Sequence, residues 1–190
     1  EVWNDLKKED SNSVISLALK THYINNIELV SLSGISNSKT LFCNEGGFYS
    51  TYQSDRFGFN NPDTEWDKKD IEYLLIGDST THGACVNRPN DIASILRKLS
   101  KKPAINLGYR GSSTLSQFAV LREYLIPNVK KIVWLFSGDN DVEEMQNELK
   151  NKTLNLYIDN PKFSQNLKFK QKKIDKLLSK FLYEEEKKIF

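Results

Sequence analysis

The sequence predicts an α/β domain built on a parallel sheet. Three short apolar segments, at 71–76, 103–107 and 130–137, alternate with segments whose apolar residues recur at helical spacing. This alternation is typical of βαβ units, in which helices connect parallel strands. We expect the domain to span residues 66–190, with residues 1–65 forming an N-terminal extension packed beside it.

The composition is typical of a folded protein and argues against a nucleic-acid partner and against a membrane-spanning segment. Of the 190 residues, 38% are hydrophobic and 27% are charged, which suits one domain with a small appendage. The formal charge of +2 lacks the basic excess of a nucleic-acid-binding domain. The longest apolar runs have five or six residues, too few to cross a bilayer, and no signal-peptide pattern is visible. The compartment stays open between the bacterial cytoplasm and the cell envelope.

Capping residues and apolar spacing predict the helices. Asn90 or Asp91 caps a helix that runs to about Leu99, and Pro127 stops the next one. The first of these is expected to bury one face, formed by Ile92, Ile95, Leu96 and Leu99. The other predicted helices cover 114–125, a segment that starts at 141 or 142, and 171–190. Residues 154–158 fit either a strand or a loop anchor.

The N-terminal extension is predicted to hold a helix at 11–19, a strand at 27–30 and a hairpin, after a frayed segment at 1–10. The hairpin joins 40–43 to 48–52 through the turn Asn44-Glu45-Gly46-Gly47. Cys43 and Cys85 are the only cysteines, and we interpret them as ordinary small residues rather than a disulfide. No Cys/His spacing suggests zinc.

Polar residues follow all three predicted parallel strands. Gly77-Asp78-Ser79 comes after the first, Asn106-Leu107-Gly108-Tyr109-Arg110-Gly111 after the second, and Gly138-Asp139-Asn140-Asp141 after the third. The carboxyl ends of parallel strands meet at one edge of the sheet, where open α/β folds place their ligands. These three segments are therefore expected to form one site.

In this order the three segments resemble the blocks of the SGNH (GDSL-type) hydrolases, across roughly residues 70–145. The resemblance implies a three-layer α/β/α, flavodoxin-like fold and a serine ester hydrolase or acyl-transfer enzyme. Ser79 would be the nucleophile, and the oxyanion would be held by the N–H groups of Ser79 and Gly111 and the Asn140 amide. The implied substrate is an acetyl or other small acyl ester on a glycan or small molecule, and no cofactor or metal is implied.

Three further residues complete the candidate site. Asp78 is expected to order its loop, Asp141 to cap the third helix, and His82 to line the pocket, with a role as general base only a minor alternative. A metal site formed by Asp78, His82 and Asp139 has a spacing unlike known ligand sets.

The expected general base is missing, because the late Asp-x-x-His block of the family does not occur here. We interpret the chain as a fragment that stops before that block, since the family's sheet usually has five strands and the chain ends inside a helical pattern. The alternative is a catalytically inactive binding module for a ligand such as glycan, with a cleft lined by aromatic residues: Tyr52, Phe57, Phe59 and Tyr109. A nucleotide- or flavin-binding protein of similar fold is disfavoured, because the first loop lacks a Gly-rich phosphate cradle.

Overall fold

The computed structural model describes residues 13–24, 27–45, 47–138 and 140–189. Its strands are β1 (Val14–Ile15), β2 (Lys20–Ile24), β3 (Ile27–Ser31), β4 (Lys39–Cys43), β5 (Ser50–Gln53), β6 (Ile71–Ile76), β7 (Ala104–Asn106) and β8 (Val129–Trp134). Its α-helices are α1 (Ser79–His82), α2 (Ile92–Ser100), α3 (Thr114–Tyr124), α4 (Asn140–Glu148), α5 (Lys152–Asp159) and α6 (Gln171–Ile189). Short 3₁₀ segments cover Asp63–Asp67 and Leu167–Lys170. The predicted frayed segment 1–10 lies outside the described residues.

The largest parallel arrangement is the sheet β7-β6-β8, with β6 at its centre. Tyr73 of β6 pairs with Ala104 of β7 on one side and with Lys131 of β8 on the other, and all three strands run parallel. The apolar run of β6 is buried, as strands of parallel sheets usually are. Its residues with at most 1% exposure are Ile71, Leu74, Leu75 and Ile76. The prediction of an α/β fold with a parallel sheet is confirmed at this level.

Helix α2 starts after a predicted capping residue, and α3 starts at the predicted position 114. The Asp91 carboxylate accepts a hydrogen bond from the Ser94 N–H at 3.0 Å, and Ser113 begins α3 with a capping box that it shares with Ser116. The expected buried face of α2 is wrong in part, because Ile95 and Leu99 are 43% and 77% exposed. The small side chain of Ala93, fully buried beside Leu75, brings a neighbouring face of the helix onto the sheet instead; its members are Ile92, Ala93 and Leu96.

The predicted helix at 11–19 is wrong for the described residues 13–19. Val14 and Ile15 instead form β1, which pairs in parallel with Thr40 and Leu41 of β4. The Ser16 N–H extends this pairing with a 2.8 Å hydrogen bond to the Leu41 carbonyl. Two adjacent β-branched residues favour a strand once a partner edge is available, which a local helical pattern does not reveal.

The two hairpins of the N-terminal extension are antiparallel. The predicted hairpin forms from β4 and β5, although Gly46 of its turn lies outside the described residues. The predicted strand at 27–30 is β3, and its partner β2 was not predicted. His22 belongs to β2, opposite Leu29.

Both helices at the C-terminal end of the chain pack by one apolar face. Residues 154–158, predicted as a strand or anchor, lie in α5, where Asn151 caps the helix and Leu154 and Tyr157 are buried one turn apart. The prediction of an amphipathic C-terminal helix is confirmed by α6, with Ile174 and Leu178 at most 2% exposed. Asp175 of α6 accepts hydrogen bonds from the backbone N–H and the hydroxyl of Ser36, which fastens the helix to the N-terminal extension.

One hydrophobic cluster joins residues of the N-terminal extension to the parallel sheet and the C-terminal helices. Its buried members include Leu32, Phe59, Leu74, Ile105, Tyr124 and Ile174. The extension therefore shares its core with the rest of the protein. None of the helices in the described part of the chain combines the length and apolar character that crossing a bilayer requires.

Candidate functional site

Ser79 is the first residue of α1, at the carboxyl end of the central strand β6. The preceding Gly77 fits between Thr81 and the Leu135 carbonyl, where a Cβ atom would lie 2.8 Å from the carbonyl oxygen. Asp78 caps the helix, because its carboxylate accepts the Thr80 N–H at 2.9 Å. The Ser79 side chain is thereby held half-buried at the edge of the sheet.

The loop after β7 lies directly against the Ser79 turn. The Tyr109 N–H and the Ser112 hydroxyl both donate to the Gly77 carbonyl, at 3.1 Å each. Gly108 approaches α1 so closely that a Cβ atom on this residue would lie 2.6 Å from the backbone nitrogen of His82. Gly111 is exposed and has φ +68°, a conformation that favours glycine. Two of the three predicted segments therefore meet at one place.

The two backbone N–H groups expected to hold an oxyanion have no hydrogen-bond acceptor among the described residues. Among the residues the structure describes, none accepts a hydrogen bond from the backbone N–H of Ser79 or of Gly111. The Ser79 hydroxyl likewise has no hydrogen-bond partner in this part of the chain. Both N–H groups thus remain available to a bound ligand.

The strand that precedes the third segment ends at the same sheet edge. The Leu135 N–H donates to the Ile76 carbonyl at 2.9 Å, which continues β8 beside the end of β6. Helix α4 begins at Asn140. Asp139 and the side chains of Asn140 and Asp141 lie outside the described part of the structure, so the predicted amide donor and helix cap stay predictions.

A carboxylate at the end of α4 ties this helix to the start of α3. Glu148 accepts hydrogen bonds from the N–H groups of Ser113, Leu115 and Ser116, at 2.9–3.1 Å, and from the Ser116 hydroxyl. A carboxylate at a helix N-terminus satisfies unpaired N–H groups and interacts favourably with the helix dipole. Glu148 thus fixes the start of α3 relative to α4.

His82 is a core residue and not a pocket residue, which corrects the expectation from sequence. It is 0% exposed, and its ring packs 4.2 Å from the Phe42 ring and 4.9 Å from the Tyr109 ring, centroid to centroid. Its Nδ1 accepts the Arg110 N–H at 3.2 Å, so the ring proton lies on Nε2 and faces the Tyr52 hydroxyl at 3.0 Å. Burial lowers the pKa of His82 to about 3. With both nitrogens engaged, His82 is unsuited to act as the base of Ser79 or as a metal ligand.

The aromatic residues expected to line a cleft are largely buried as well. Phe59, Tyr109 and Tyr52 are 0%, 2% and 6% exposed, and the Phe57 ring packs 4.8 Å from that of Trp66. They form a core beneath the site. At the sheet edge itself, Phe136 in the segment after β8 is 52% exposed.

A buried polar network that the sequence did not reveal supports the two described site loops. Asp55 is fully buried, and its carboxylate accepts four hydrogen bonds of 2.7–3.0 Å from the N–H groups of Phe57, Phe59, Asn61 and Trp66. Burial raises the pKa of Asp55 to about 6, against the opposite effect of these donors. In the sequence, Asp55 stands before a segment rich in turn-forming residues at 56–63, and such a segment does not identify the four donors.

Asn61 and Asn106 carry this network to α1. The Asn61 side chain donates to the Asn106 carbonyl and accepts the Asn106 N–H, at 2.8 Å each. The Asn106 side chain in turn donates to the Thr81 carbonyl at 2.6 Å and accepts the Gly108 N–H at 2.8 Å. Asn106, the first residue of the second block, therefore positions the loops around Ser79 from below.

Cys43 and Cys85 form a disulfide with a Cα–Cα distance of 5.1 Å, so their interpretation as ordinary residues is wrong. Together with Glu45 they are also the one group of described residues whose Cys, His, Asp or Glu ligand atoms lie close enough to hold a cation, all within 4.8 Å of one another. In the oxidised form the two sulfurs bind each other, and no thiolate is left for a metal.

Comparisons of the chain with protein-family models, with curated proteins and with solved structures give no significant match. The function of the chain is therefore inferred from the site itself.

Proposed function

We propose that this chain carries the nucleophile and oxyanion-binding part of a serine ester hydrolase or acyl-transfer enzyme of the SGNH type, with a three-layer, flavodoxin-like α/β/α fold. The observation that carries the proposal is the position of Ser79. Ser79 is the first residue of a helix at the end of the central parallel strand. The Gly111 loop is hydrogen-bonded to the Gly77 carbonyl, two residues before Ser79. Strand ends in this arrangement are where α/β folds place their ligands.

In the proposed reaction, the Ser79 oxygen attacks the carbonyl carbon of an acetyl or other small acyl ester on a glycan or small molecule. The N–H groups of Ser79 and Gly111 and the Asn140 amide stabilise the negative charge that develops on the carbonyl oxygen. The alcohol leaves, and water or a second alcohol then releases the acyl group from Ser79. No cofactor enters these steps.

The reaction also needs a base for the Ser79 proton, and the histidines of this sequence do not provide one. Ser79 has no hydrogen bond to a histidine within the described residues, and both ring nitrogens of His82 are engaged in the core. A base from outside these 190 residues is therefore part of the proposal.

A fluorophosphonate probe tests the nucleophile directly in the full-length protein. We expect covalent labelling at Ser79, identified by mass spectrometry, and its loss in Ser79→Ala. Thr80→Ala is the matched control, because it removes an exposed hydroxyl one residue further on and should keep the labelling. Labelling that survives in Ser79→Ala would exclude Ser79 as the nucleophile.

The second candidate function is a non-catalytic module that binds a ligand such as glycan. The engagement of both His82 ring nitrogens in the core favours it. In that case acyl glycans would bind at the same edge, near the exposed Phe136, without turnover. Binding measured by calorimetry would survive Ser79→Ala and weaken in Phe136→Ala. Absence of labelling together with this pattern would replace the hydrolase proposal.

A further inference from the structure

The segment after α1, residues 84–90, is fastened to the β4–β5 hairpin at three points. One is the covalent bond between Cys43 and Cys85. The other two are hydrogen bonds of 2.8 Å at the surface, from the Thr51 N–H to the Asn87 side chain and from the Arg88 side chain to the Gln53 carbonyl. Exposed hydrogen bonds exchange readily with water, so the disulfide is the strongest of the three attachments.

The backbone at Cys85 adopts a conformation that needs such an attachment. Its φ is +58°, in the left-handed region that residues other than glycine rarely adopt. Conformations of this kind persist only where the surroundings hold them. Release of the sulfur therefore favours rearrangement of the backbone at this residue.

The same turn holds Ser79. The Ala84 N–H donates to the Ser79 carbonyl at 2.9 Å, and the Gly83 N–H donates to the Thr80 carbonyl at 3.2 Å. Two of the hydrogen bonds that close the single turn of α1 thus come from the two residues directly before Cys85, beside the bond from the His82 N–H to the Asp78 carbonyl. A rearrangement at Cys85 is transmitted to Ser79 through these bonds.

We propose that the Cys43–Cys85 disulfide is a redox-sensitive strap that holds the Ser79 turn, and that its reduction loosens residues 79–90 while the parallel sheet stays folded. An external dithiol supplies the two electrons: one of its thiolates attacks a sulfur of the strap, and its second thiol resolves the mixed disulfide. The products are two protein thiols and the oxidised dithiol. The link from the strap to Ser79 reactivity rests on the proposed function, whereas the loosening of the loop does not.

The loosening stays local because the sheet has its own support. Leu74, Leu75 and Ile76 of β6 are at most 1% exposed. Leu74 and Leu75 are paired on both sides, and Ile76 is paired with Trp134 of β8. The buried His82 also keeps its contacts with Tyr52 and with Asn60, whose side chain donates to the His82 carbonyl at 2.9 Å. The strap thus governs the outer part of the loop.

Glu45 tunes the strap, because a carboxylate oxygen lies within 4.8 Å of both sulfurs. Its negative charge repels an attacking thiolate and disfavours a thiolate as leaving group. We expect the strap of Glu45→Gln to be reduced about threefold faster by dithiothreitol at low ionic strength, with the difference shrinking in salt.

Hydrogen exchange in the oxidised and the dithiothreitol-reduced protein tests the strap. We expect amides of residues 79–90 to exchange about tenfold or more faster after reduction, and those of residues 71–76 to keep their protection. Reoxidation should restore the slow exchange. Cys43→Ala/Cys85→Ala should exchange fast under both conditions, whereas Asn87→Ala, which loses only a surface hydrogen bond, should keep the redox response.

Three outcomes would overturn the proposal. Unchanged exchange at 79–90 on reduction would show that the strap does not hold the loop, and accelerated exchange at 71–76 would show that its effect is not local. Stoichiometric zinc uptake that restores protection in the reduced protein would make Cys43, Glu45 and Cys85 a metal site instead.

Fluorophosphonate labelling separates this proposal from the proposed function. A redox-dependent loop in a protein that is never labelled would refute the hydrolase and leave the strap standing. Ser79 labelling at the same rate in both redox states would refute control of Ser79 by the strap and leave the hydrolase standing.

Discussion

The two flanks of the central strand β6 are built differently. On the β7 flank, Asn106 is fully buried and hydrogen-bonded on both its backbone and its side chain. On the β8 flank, apolar residues reach the surface, with Ile132 and Trp134 47% and 40% exposed. A groove of about 500 Å³ continues this surface, lined by residues such as Leu125, Ile126, Val129 and Ile132.

This difference separates what is rigidly positioned in the site from what is not. In the oxidised protein, the Cys43–Cys85 strap holds the Ser79 turn together with buried polar contacts, which also hold the Gly111 loop. Such contacts limit movement because a buried polar group without its partner is costly. The segment that leads to Asn140 follows a strand with little cover. Substitutions on the two flanks test the contrast, from the β7 flank to the β8 flank.

The largest effect is expected for Asp55→Ala. Removal of this carboxylate leaves four N–H donors without an acceptor, two of them on the backbone. We expect the free energy of unfolding, measured in urea, to fall by about 3–5 kcal/mol. Asp70→Ala, at an exposed position, is the control and should change it by less than about 0.5 kcal/mol. A similar small change for Asp55→Ala would show that the network is not structural.

We expect His82→Phe to lower the free energy of unfolding by about 2–3 kcal/mol at pH 7, since the Tyr52 hydroxyl and the Arg110 N–H lose their partner. The cost should depend on pH. Because folding lowers the pKa of His82 to about 3, the unfolded chain takes up its proton first, and the stabilisation is lost as pH falls below about 6.5.

Urea unfolding at two pH values measures this dependence. We expect the cost of His82→Phe to be about 2 kcal/mol smaller at pH 5 than at pH 7. Asp55, whose pKa is raised to about 6, acts with the opposite sign, since its contribution falls as pH rises from about 4 to 6. The comparison of wild type with variant removes the Asp55 contribution. A cost that does not change with pH would contradict a neutral, buried His82.

Glu148→Gln tests the connection between the flanks. The amide keeps one acceptor oxygen but loses the charge that faces the start of α3. We expect a loss of about 1–2 kcal/mol in the free energy of unfolding. Glu184→Gln, which removes an exposed partner of Lys180, is the matched control and should cost less than about 0.5 kcal/mol. Equal costs would mean that Glu148 contributes no more than a surface charge.

The smallest effect is expected on the β8 flank. Phe136→Ala should lower the free energy of unfolding by less than about 1 kcal/mol, because this ring is 52% exposed. The same truncation at Phe59, which is 0% exposed, should cost about 3–5 kcal/mol. Thermal or urea unfolding of both variants decides the matter. Similar costs would show that the β8 flank is covered in solution.

Much of the fold could be predicted because its signals are local. The apolar runs of β6, β7 and β8, the caps Asp91 and Ser113, and the apolar spacing of α6 each lie within one short segment. The meeting of the Ser79 and Gly111 segments also followed, since ends of neighbouring parallel strands share an edge.

Other features depend on partners that are distant in sequence. His82 is neutral and buried because Phe42, Tyr52 and Tyr109 surround it, and no pattern near residue 82 announces them. Val14 and Ile15 form a strand because an edge of β4 is available. The exposure of Leu99 depends on which face of α2 meets the sheet.

The sequence by itself thus determined the α/β class and the order of Ser79, Gly111 and Asn140 along the chain, each after a strand of the parallel sheet. Only the tertiary structure decided that His82 is unsuited as a base, that Asp55 and Asn106 support the site, and that Cys43 is bonded to Cys85. The physical reason is the range of the forces involved. Strand and helix patterns arise from neighbours along the chain, whereas burial, hydrogen-bond satisfaction and disulfide pairing arise from residues brought together by folding.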